Sequence, residues 1–237
     1  MISAIVVSHG HRGELAESLP ALAPQVDEIV LIANVPSSVP DELHGARVVE
    51  NDRPVSYAAN MNRGIAATRG GLVLVNNPDA VPQTGSAATL AEFMESHSRC
   101  GIAGPRLVNP DGSWQPSRRR FPTVTGTVVR RTPLRLLFPP LEHQRAHYNL
   151  DERPTEPVEA DWMLGGYDAG FRMYGEEIDL CYRAAKAGWE RWYVPDAVVR
   201  HRWDALTDQT FWTRRTLWHW RSIMRFVRKH PERLFGG

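Results

Sequence analysis

Leu72-Val73-Leu74-Val75-Asn76-Asn77-Pro78-Asp79 is a wholly apolar run that stops without transition in a polar turn. A short continuous apolar segment of this kind predicts a buried strand, central in a parallel sheet and covered on both faces. What precedes it supports that reading. Ser56 is placed as the N-cap of a helix running to Thr68, closed by Arg69-Gly70-Gly71. Further upstream, Ala4 to Val7 reads as a strand, Gly13 to Leu22 as a helix, and Glu28 to Ile32 and Arg47 to Val49 as two more strands. Downstream, a helix is expected over Ser86 to Ser98 and a strand over Gly101 to Ala103. Strands alternating with helices imply an α/β fold whose central sheet is mainly parallel and flanked by helices.

From Gly104 to Pro140 the composition shifts to Pro, Gly and Arg, with Asn109-Pro110-Asp111-Gly112 a strong turn signal and Arg118-Arg119-Arg120 a basic cluster. Order is expected to return at Asp161 to Leu164 and in a helix from Gly175 to Ala187 that Gly188 stops. Two short strands, Trp192 to Val194 and Ala197 to Val199, lead to His201, and an amphipathic helix rich in Trp and Arg covers Thr210 to Lys229. The organisation expected is one domain over residues 1–205, in two halves, 1–103 and 104–205, followed by a helical tail over 206–237.

The 237 residues are 42% apolar and 23% charged, which suits a globular chain and excludes an intrinsically disordered one. The formal charge of +1 conceals an alternation of acidic and basic segments, and Lys186 and Lys229 are the only lysines among 28 cationic residues. Arginine favours planar, bidentate contacts with phosphate or carboxylate. Cys100 and Cys181 alone exclude a disulfide scaffold or a zinc ribbon. Without a signal-peptide pattern or a long apolar span, a cytoplasmic protein is expected, attached to the inner membrane face only peripherally if at all.

In open α/β sheets, ligands bind beyond the carboxyl ends of the strands, where Asn77-Pro78-Asp79 falls. A carboxylate there can hold a divalent cation against a diphosphate, although the same three residues make an ordinary turn. Glu176, Glu177 and Asp179 form the densest carboxylate cluster, at a predicted helix start. They either complement the helix dipole, with Asp179 pairing Arg183, or supply a general base. His201 ends a strand and is a metal ligand only if Asp79 is near it. In the tail, Phe211, Trp218 and Met224 or Phe226, widened by Leu217 and Trp220, are expected on one face. Arg214, Arg221, Arg225 and Arg228 then form a cationic margin suited to an anionic membrane surface, or simply face water above a packing helix. No base-reading module is present, so nucleic acid is not an expected partner.

Taken together and in order, these segments resemble the inverting family 2 glycosyltransferases of the GT-A fold, in particular the rhamnosyltransferase-like branch. Ile5-Val6-Val7-Ser8 is similar to the start of the family's nucleotide site, and Tyr57 to Gly64 to its Asn-x-Gly helix, here Asn62-Arg63-Gly64. Asn77-Pro78-Asp79 resembles the branch's form of the DxD motif, with Asn77 in the first acidic position. Gly104 to Pro122 resembles a stretch particular to the branch, and Asp161-Trp162-Met163-Leu164-Gly165 its acceptor-side motif. Tyr174 to Leu180 resembles the "ED" motif and maps the base onto Glu177, while Tyr193 to His201 resembles the segment ending in the metal-binding histidine. Two departures stand out. The second strand ends in Ile32-Ala33-Asn34 where the family has an acidic residue before Asn, and Gly165 abuts Gly166 where the family carries roughly fifteen more residues.

The resemblance implies a GT-A (nucleotide-diphospho-sugar transferase) fold and transfer from a nucleoside diphosphate sugar, dTDP-rhamnose-like or a UDP-sugar, to a glycan or lipid-linked acceptor. Ser8, Asn34, Asn62, Gly64, Asn77 and Asp79 would bind the donor, and Asp161 and Trp162 the acceptor. Asp79 and His201 would hold Mg²⁺ or Mn²⁺, and Glu177 would be the base, with Glu176 and Asp179 as its alternatives. A sugar-phosphate nucleotidyltransferase and a non-catalytic nucleotide-sugar or polyanion binder are the competing readings. The first lacks its Gly-rich, Lys-containing phosphate loop after the first strand.

Overall fold

The computed structural model describes residues 1–121, 152–162, 175–202 and 214–234. Four parallel strands, β1 (Ile2–Ser8), β2 (Glu28–Ala33), β3 (Arg47–Glu50) and β4 (Leu72–Asn76), form one sheet in the order β3-β2-β1-β4. Its crossovers include α1 (Arg12–Leu22) and α2 (Tyr57–Ala67). The N-cap of α2 is Ser56, whose hydroxyl accepts from the Ala59 amide. One face of β1 and β2 buries Ala4, Val6, Ile29 and Leu31 against Leu15, Leu19 and Leu22 of α1. The opposite face buries Ile5, Val7, Val30 and Ile32 against Ala58 and Met61 of α2. Both strands are therefore the two-sided apolar strands of a parallel sheet.

β4 differs from its expected place. It stands at the end of the strand order rather than the centre, and Val73 is 41% exposed. Leu74 and Val75 still pack against the helix-covered cores, but Val73, Leu74 and Val75 also line a cleft. An apolar run reports that a strand avoids water, and a cleft wall satisfies that as a helix does.

A second, mixed sheet contains β5 (Ala80–Pro82), β6 (Cys100–Val108), β7 (Trp114–Gln115) and β9 (Glu190–His201) in the order β5-β9-β6-β7, with β8 (Val158–Glu159) also paired to β9. The change of sheet falls at Asn77 to Asp79. The Asn109 to Gly112 turn joins β6 to β7, closed by a bond from the Gly112 amide to the Asn109 carbonyl. Trp192 to Val194 and Ala197 to Val199 are not two strands. They belong to one, β9, whose pairing with β6 jumps from Pro105↔Val194 to Arg106↔Val198. The extra residues form a bulge, so a Pro-containing interruption bends the strand without ending it.

α3 (Ser86–Ser96) packs on this sheet, and α4 (Glu176–Lys186) starts after Gly175, whose φ of 85° is a conformation that glycine adopts without strain. α5 (Arg214–Lys229) packs on α4 through Phe226 and His230, whose rings lie 5.7 and 4.6 Å from that of Tyr182. This corrects the expected face of the tail. Ser222, Phe226 and His230 point inward, while Leu217 and Met224 are 61% and 52% exposed. No helix among the described residues is long and apolar enough to cross a membrane. Phe211, Met163, Leu164 and the Gly165-Gly166 junction lie outside the described residues.

Candidate active site

A cleft of about 300 Å³ runs between β4 and β6. Along most of its length it is apolar, lined by Val73, Leu74, Val75, Ile102 and Ala103. At one end it turns polar, with Tyr57, Asn77, Ser117, Glu177 and His201. That end lies beyond the carboxyl terminus of β4, where α/β sheets place their ligands.

The turn after β4 is built to present Asp79. The Ala80 amide donates to the Asn77 carbonyl at 3.0 Å. The Asn76 side chain braces the turn from inside, donating to the carbonyls of Asn77 and Ala80, each at 2.9 Å. The Tyr57 hydroxyl donates to Asn77 Oδ1 at 3.2 Å, fixing that side chain at the cleft wall. Because β5 pairs antiparallel with β9 and sets Ala80 opposite His201, the turn carboxylate and the strand-end imidazole meet. Asp79 Oδ2 lies 3.6 Å from His201 Nε2. On the other side of the ring, the Gln115 amide lies 3.2 to 3.3 Å from Nδ1. When Nδ1 carries the proton and donates to Gln115 Oε1, Nε2 keeps its lone pair on the Asp79 side. This is how ligating histidines are commonly oriented. Gln115 was not singled out from sequence. Its signal was its place in the branch-specific stretch.

Glu176 and Glu177 open α4. Glu176 is 3% exposed, and Glu177 reaches the cleft. Burial, with the neighbouring Glu176 charge adding to it, pushes the Glu177 carboxyl up to about 8. A carboxyl in that range becomes a proton acceptor as pH rises from neutral through about 8. Asp179 has a different task. It is fully buried and receives Arg183 Nε at 2.9 Å, Lys229 Nζ at 2.8 Å and His230 Nε2 at 2.8 Å. Burial acts to raise its pKa, but the bonds from Lys229, Arg183 and His230 outweigh it and leave the carboxyl below its ordinary range. Asp179 joins α4 to the end of α5.

Of the other expected donor residues, Asn34 sits at the end of β2 with its side chain fully engaged. Its amide nitrogen contacts His9 Nδ1 and donates to the Val55 carbonyl. Its oxygen accepts from Asn51 Nδ2 and the Val55 amide. Asn51 also donates to Asn60 Oδ1 at 2.6 Å, so three asparagines from β2, the end of β3 and α2 form one network. Ser8 is buried and donates to the Ser38 carbonyl at 2.5 Å. Gly64 is packed against β1, where an added Cβ would come within 2.5 Å of Ile5 Cγ2. Asn62 is exposed on α2. Asn51 and Asn60 carried no expectation from sequence, although Asn51 directly follows a strand, where polar residues collect around ligands. Of the residues expected to bind the acceptor, Asp161 accepts at Oδ2 from the Phe121 amide at 2.8 Å. Trp162 forms a reciprocal backbone bridge with Arg119, and its indole donates to the Arg120 carbonyl at 2.9 Å. The pair thus holds the basic 118–121 strap in place.

The family model for glycosyl transferase family 2 matches residues 3–179. The chain belongs to that family. Among curated relatives, it is 32% identical over 146 residues to the N-acetylglucosaminyl-diphospho-decaprenol L-rhamnosyltransferase of Mycobacterium tuberculosis, covering 54% of this chain and 46% of that one. It therefore spans about half the length of that relative. It is also 22% identical to rhamnosyltransferase WbbL of Escherichia coli, covering 96% of this chain and 92% of the other. Among solved structures, GalNAc-T7 with UDP, GalNAc and Mn²⁺ superposes with a TM-score of 0.63 at 17% identity, covering 96% of this chain and 47% of that one. Staphylococcus aureus TarS 1–349 with UDP gives 0.54 at 12% identity, covering 87% and 61%. The family 2 chain thus has the α/β GT-A fold, and its relatives lie in the rhamnosyltransferase-like branch.

Proposed function

We propose that the protein transfers a sugar, rhamnose by analogy with its curated relatives, from a nucleoside diphosphate donor to a hydroxyl of a glycan or lipid-linked acceptor, with inversion. The observation that carries this is the convergence at one cleft end of Glu177, with its raised pKa, and the Asp79–His201 pair. Glu177 takes the acceptor hydroxyl proton as that oxygen attacks the anomeric carbon. The diphosphate leaves from the opposite face in a single displacement.

Asp79 and His201 fit a divalent cation. They offer a hard carboxylate oxygen and an imidazole whose far nitrogen is held by Gln115. Among the described residues, no third His, Cys, Asp or Glu joins them, which leaves room for diphosphate oxygens and water as the remaining ligands. Bound there, Mg²⁺ or Mn²⁺ would offset the charge of the departing diphosphate. Asn77, held by Tyr57, lines the donor side.

The tail supports a peripheral cytoplasmic location. Leu217, Arg221, Met224 and Arg228 recur at spacings of four, three and four and are all exposed, an outward stripe of mixed apolar and cationic character suited to an anionic bilayer.

The transferase reading is tested by incubating the protein with nucleotide sugars, Mn²⁺ and a diphospholipid-linked N-acetylglucosamine acceptor. Acceptor-dependent release of nucleoside diphosphate is expected. Release of pyrophosphate would assign a nucleotidyltransferase, and binding without turnover a nucleotide-sugar binder.

A further inference from the structure

Around β6 and β7, three buried hydrogen-bond donors lack acceptors: the Trp114 indole N–H, Arg118 Nε and the Tyr193 hydroxyl. They belong together. Along β6, Gly104, Arg106 and Val108 share one face. Tyr193 lies opposite Gly104, and Trp114 opposite Val108. Arg106 and Arg118 both act electrostatically on Tyr193, and the Arg153 guanidinium stands 5.3 Å over the Trp114 ring. The indole N–H is near enough to Tyr193 to favour its ionised form, although the two do not meet in hydrogen-bonding geometry, and burial still raises the phenol's pKa. Burial and the adjacent Arg120 also disfavour the charge on Arg118. Arg118 is 12% exposed and meets one carboxylate, Glu152, through Nη2, while Asp161 acts on it more weakly. Arg106 and Arg120 are exposed and form no ion pair with any described residue.

Native proteins rarely leave one buried donor unsatisfied. Three together, among four arginines and two carboxylates, make surroundings that are short of negative charge and of acceptors. A phosphate group supplies both. Its oxygens can accept from the indole, the phenol and the guanidinium edge at once, and arginine engages it in a planar, bidentate manner. The site is also well placed. β7 ends the strand order of its sheet. Gln115, next to Trp114, orients His201, and Ser117, next to Arg118, lines the cleft. The donors therefore adjoin the cleft through residues 115–117.

We propose that Trp114, Arg118 and Tyr193, with Arg106 at the rim, bind a phosphate or diphosphate group carried by the acceptor. The assignment to the acceptor rests on the transferase reading, whereas the anion site itself does not. Glu152 occupies the guanidinium when the site is empty and gives way when the group arrives.

Inorganic pyrophosphate is the first probe, titrated calorimetrically into the full chain with a chelator present to suppress donor-side binding through a metal. Affinity should fall at least tenfold in Arg118→Gln and severalfold in Tyr193→Phe and Trp114→Phe, and should hold in Asp79→Asn. Arg118→Lys guards against misfolding, since it keeps the charge but loses the fork, and should bind at an intermediate level. Unchanged affinity in all four site variants, loss only in Asp79→Asn, or no binding by the parent protein would each overturn the site. The second arm compares KM for a sugar diphospholipid acceptor with that for the same sugar as a methyl glycoside. In Arg118→Gln, KM should rise tenfold or more for the first and stay level for the second, with kcat nearly unchanged for both. A pyrophosphate effect with no change in either KM would reassign the site to free phosphate and overturn the acceptor role.

Discussion

The two sheets of this protein solve different problems. The first is all parallel and is built from strands that follow one another within residues 2–76, with β1 and β2 covered on both faces by helices close in sequence. Its polar groups are spent on one another, as Asn34, Asn51 and Asn60 show. The second draws strands from residues 80–82, 100–108, 114–115 and 190–201 and mixes parallel with antiparallel pairing. That assembly brings His201 beside Asp79 at the cleft and leaves unsatisfied donors buried around β6 and β7. One sheet gives a rigid wall, and the other gathers chemistry from distant parts of the chain.

The contrast is broken most severely at Glu177. Glu177→Gln should cut turnover by about 10²–10⁴ while leaving nucleoside diphosphate affinity within twofold, because an amide of the same shape accepts no proton. A Gln variant with near-parental turnover would remove the base assignment. The parent's activity should rise with pH through about 8 as the carboxyl ionises. Glu176→Gln, which removes the neighbouring charge, should move that limb to lower pH. The sign for stability is opposite. A carboxyl whose folded pKa is raised favours the folded state below its unfolded pKa and loses that contribution as pH rises towards 8.

Next in size is the pair that joins the sheets. Asp79→Asn should abolish most of the metal-dependent gain in donor affinity measured by calorimetry with and without Mn²⁺. His201→Ala should do so less completely, and Gln115→Ala should cost about 10–100-fold, as expected for a group that only orients a ligand. Equal affinity with and without the metal in the parent protein would separate Asp79 and His201 from any cation.

Asp179→Asn should act on stability more than on donor binding. Removing a fully buried carboxylate leaves Lys229 and Arg183, both partly exposed, without it. The cost should be about 3 kcal/mol by denaturant unfolding. Because the folded pKa of Asp179 is lowered, its contribution is present above the unfolded pKa and disappears as pH falls through the folded one. An unfolding midpoint that matches the parent at neutral pH would show that Asp179 does not tie α5 to α4.

The smallest effect is expected in the first sheet. Asn51→Ala should cost about 1–2 kcal/mol, since it strands Asn60 Oδ1 and removes one of two donors to Asn34 Oδ1, and should change turnover little. A loss of turnover rivalling that of Glu177→Gln would mean that the wall takes part in the chemistry and that the two sheets divide their labour less sharply.

Local pattern carried much of this molecule. β1, β2 and β3, the Ser56 cap and the start of α4 were legible because each depends on residues within one or two turns of chain, on apolar periodicity or on a capping hydroxyl. The order of motifs pointed to Asp79, Glu177 and His201 before any distance was known. Tertiary structure alone decided the rest. Apolarity cannot tell a strand beneath a helix from one beside a cleft, so the edge position of β4 was hidden. A bulge is a matter of register with a partner strand nearly a hundred residues away, which made β9 look like two pieces. Glu177 and Asp179 are both acids in the first turn of one helix. Only the packing of α5, which brings Lys229 and His230 onto Asp179 and leaves Glu177 facing the cleft, separates the acid engaged in structure from the one proposed as base. Charge type is written in the residue, whereas its surroundings come from parts of the chain that meet only on folding.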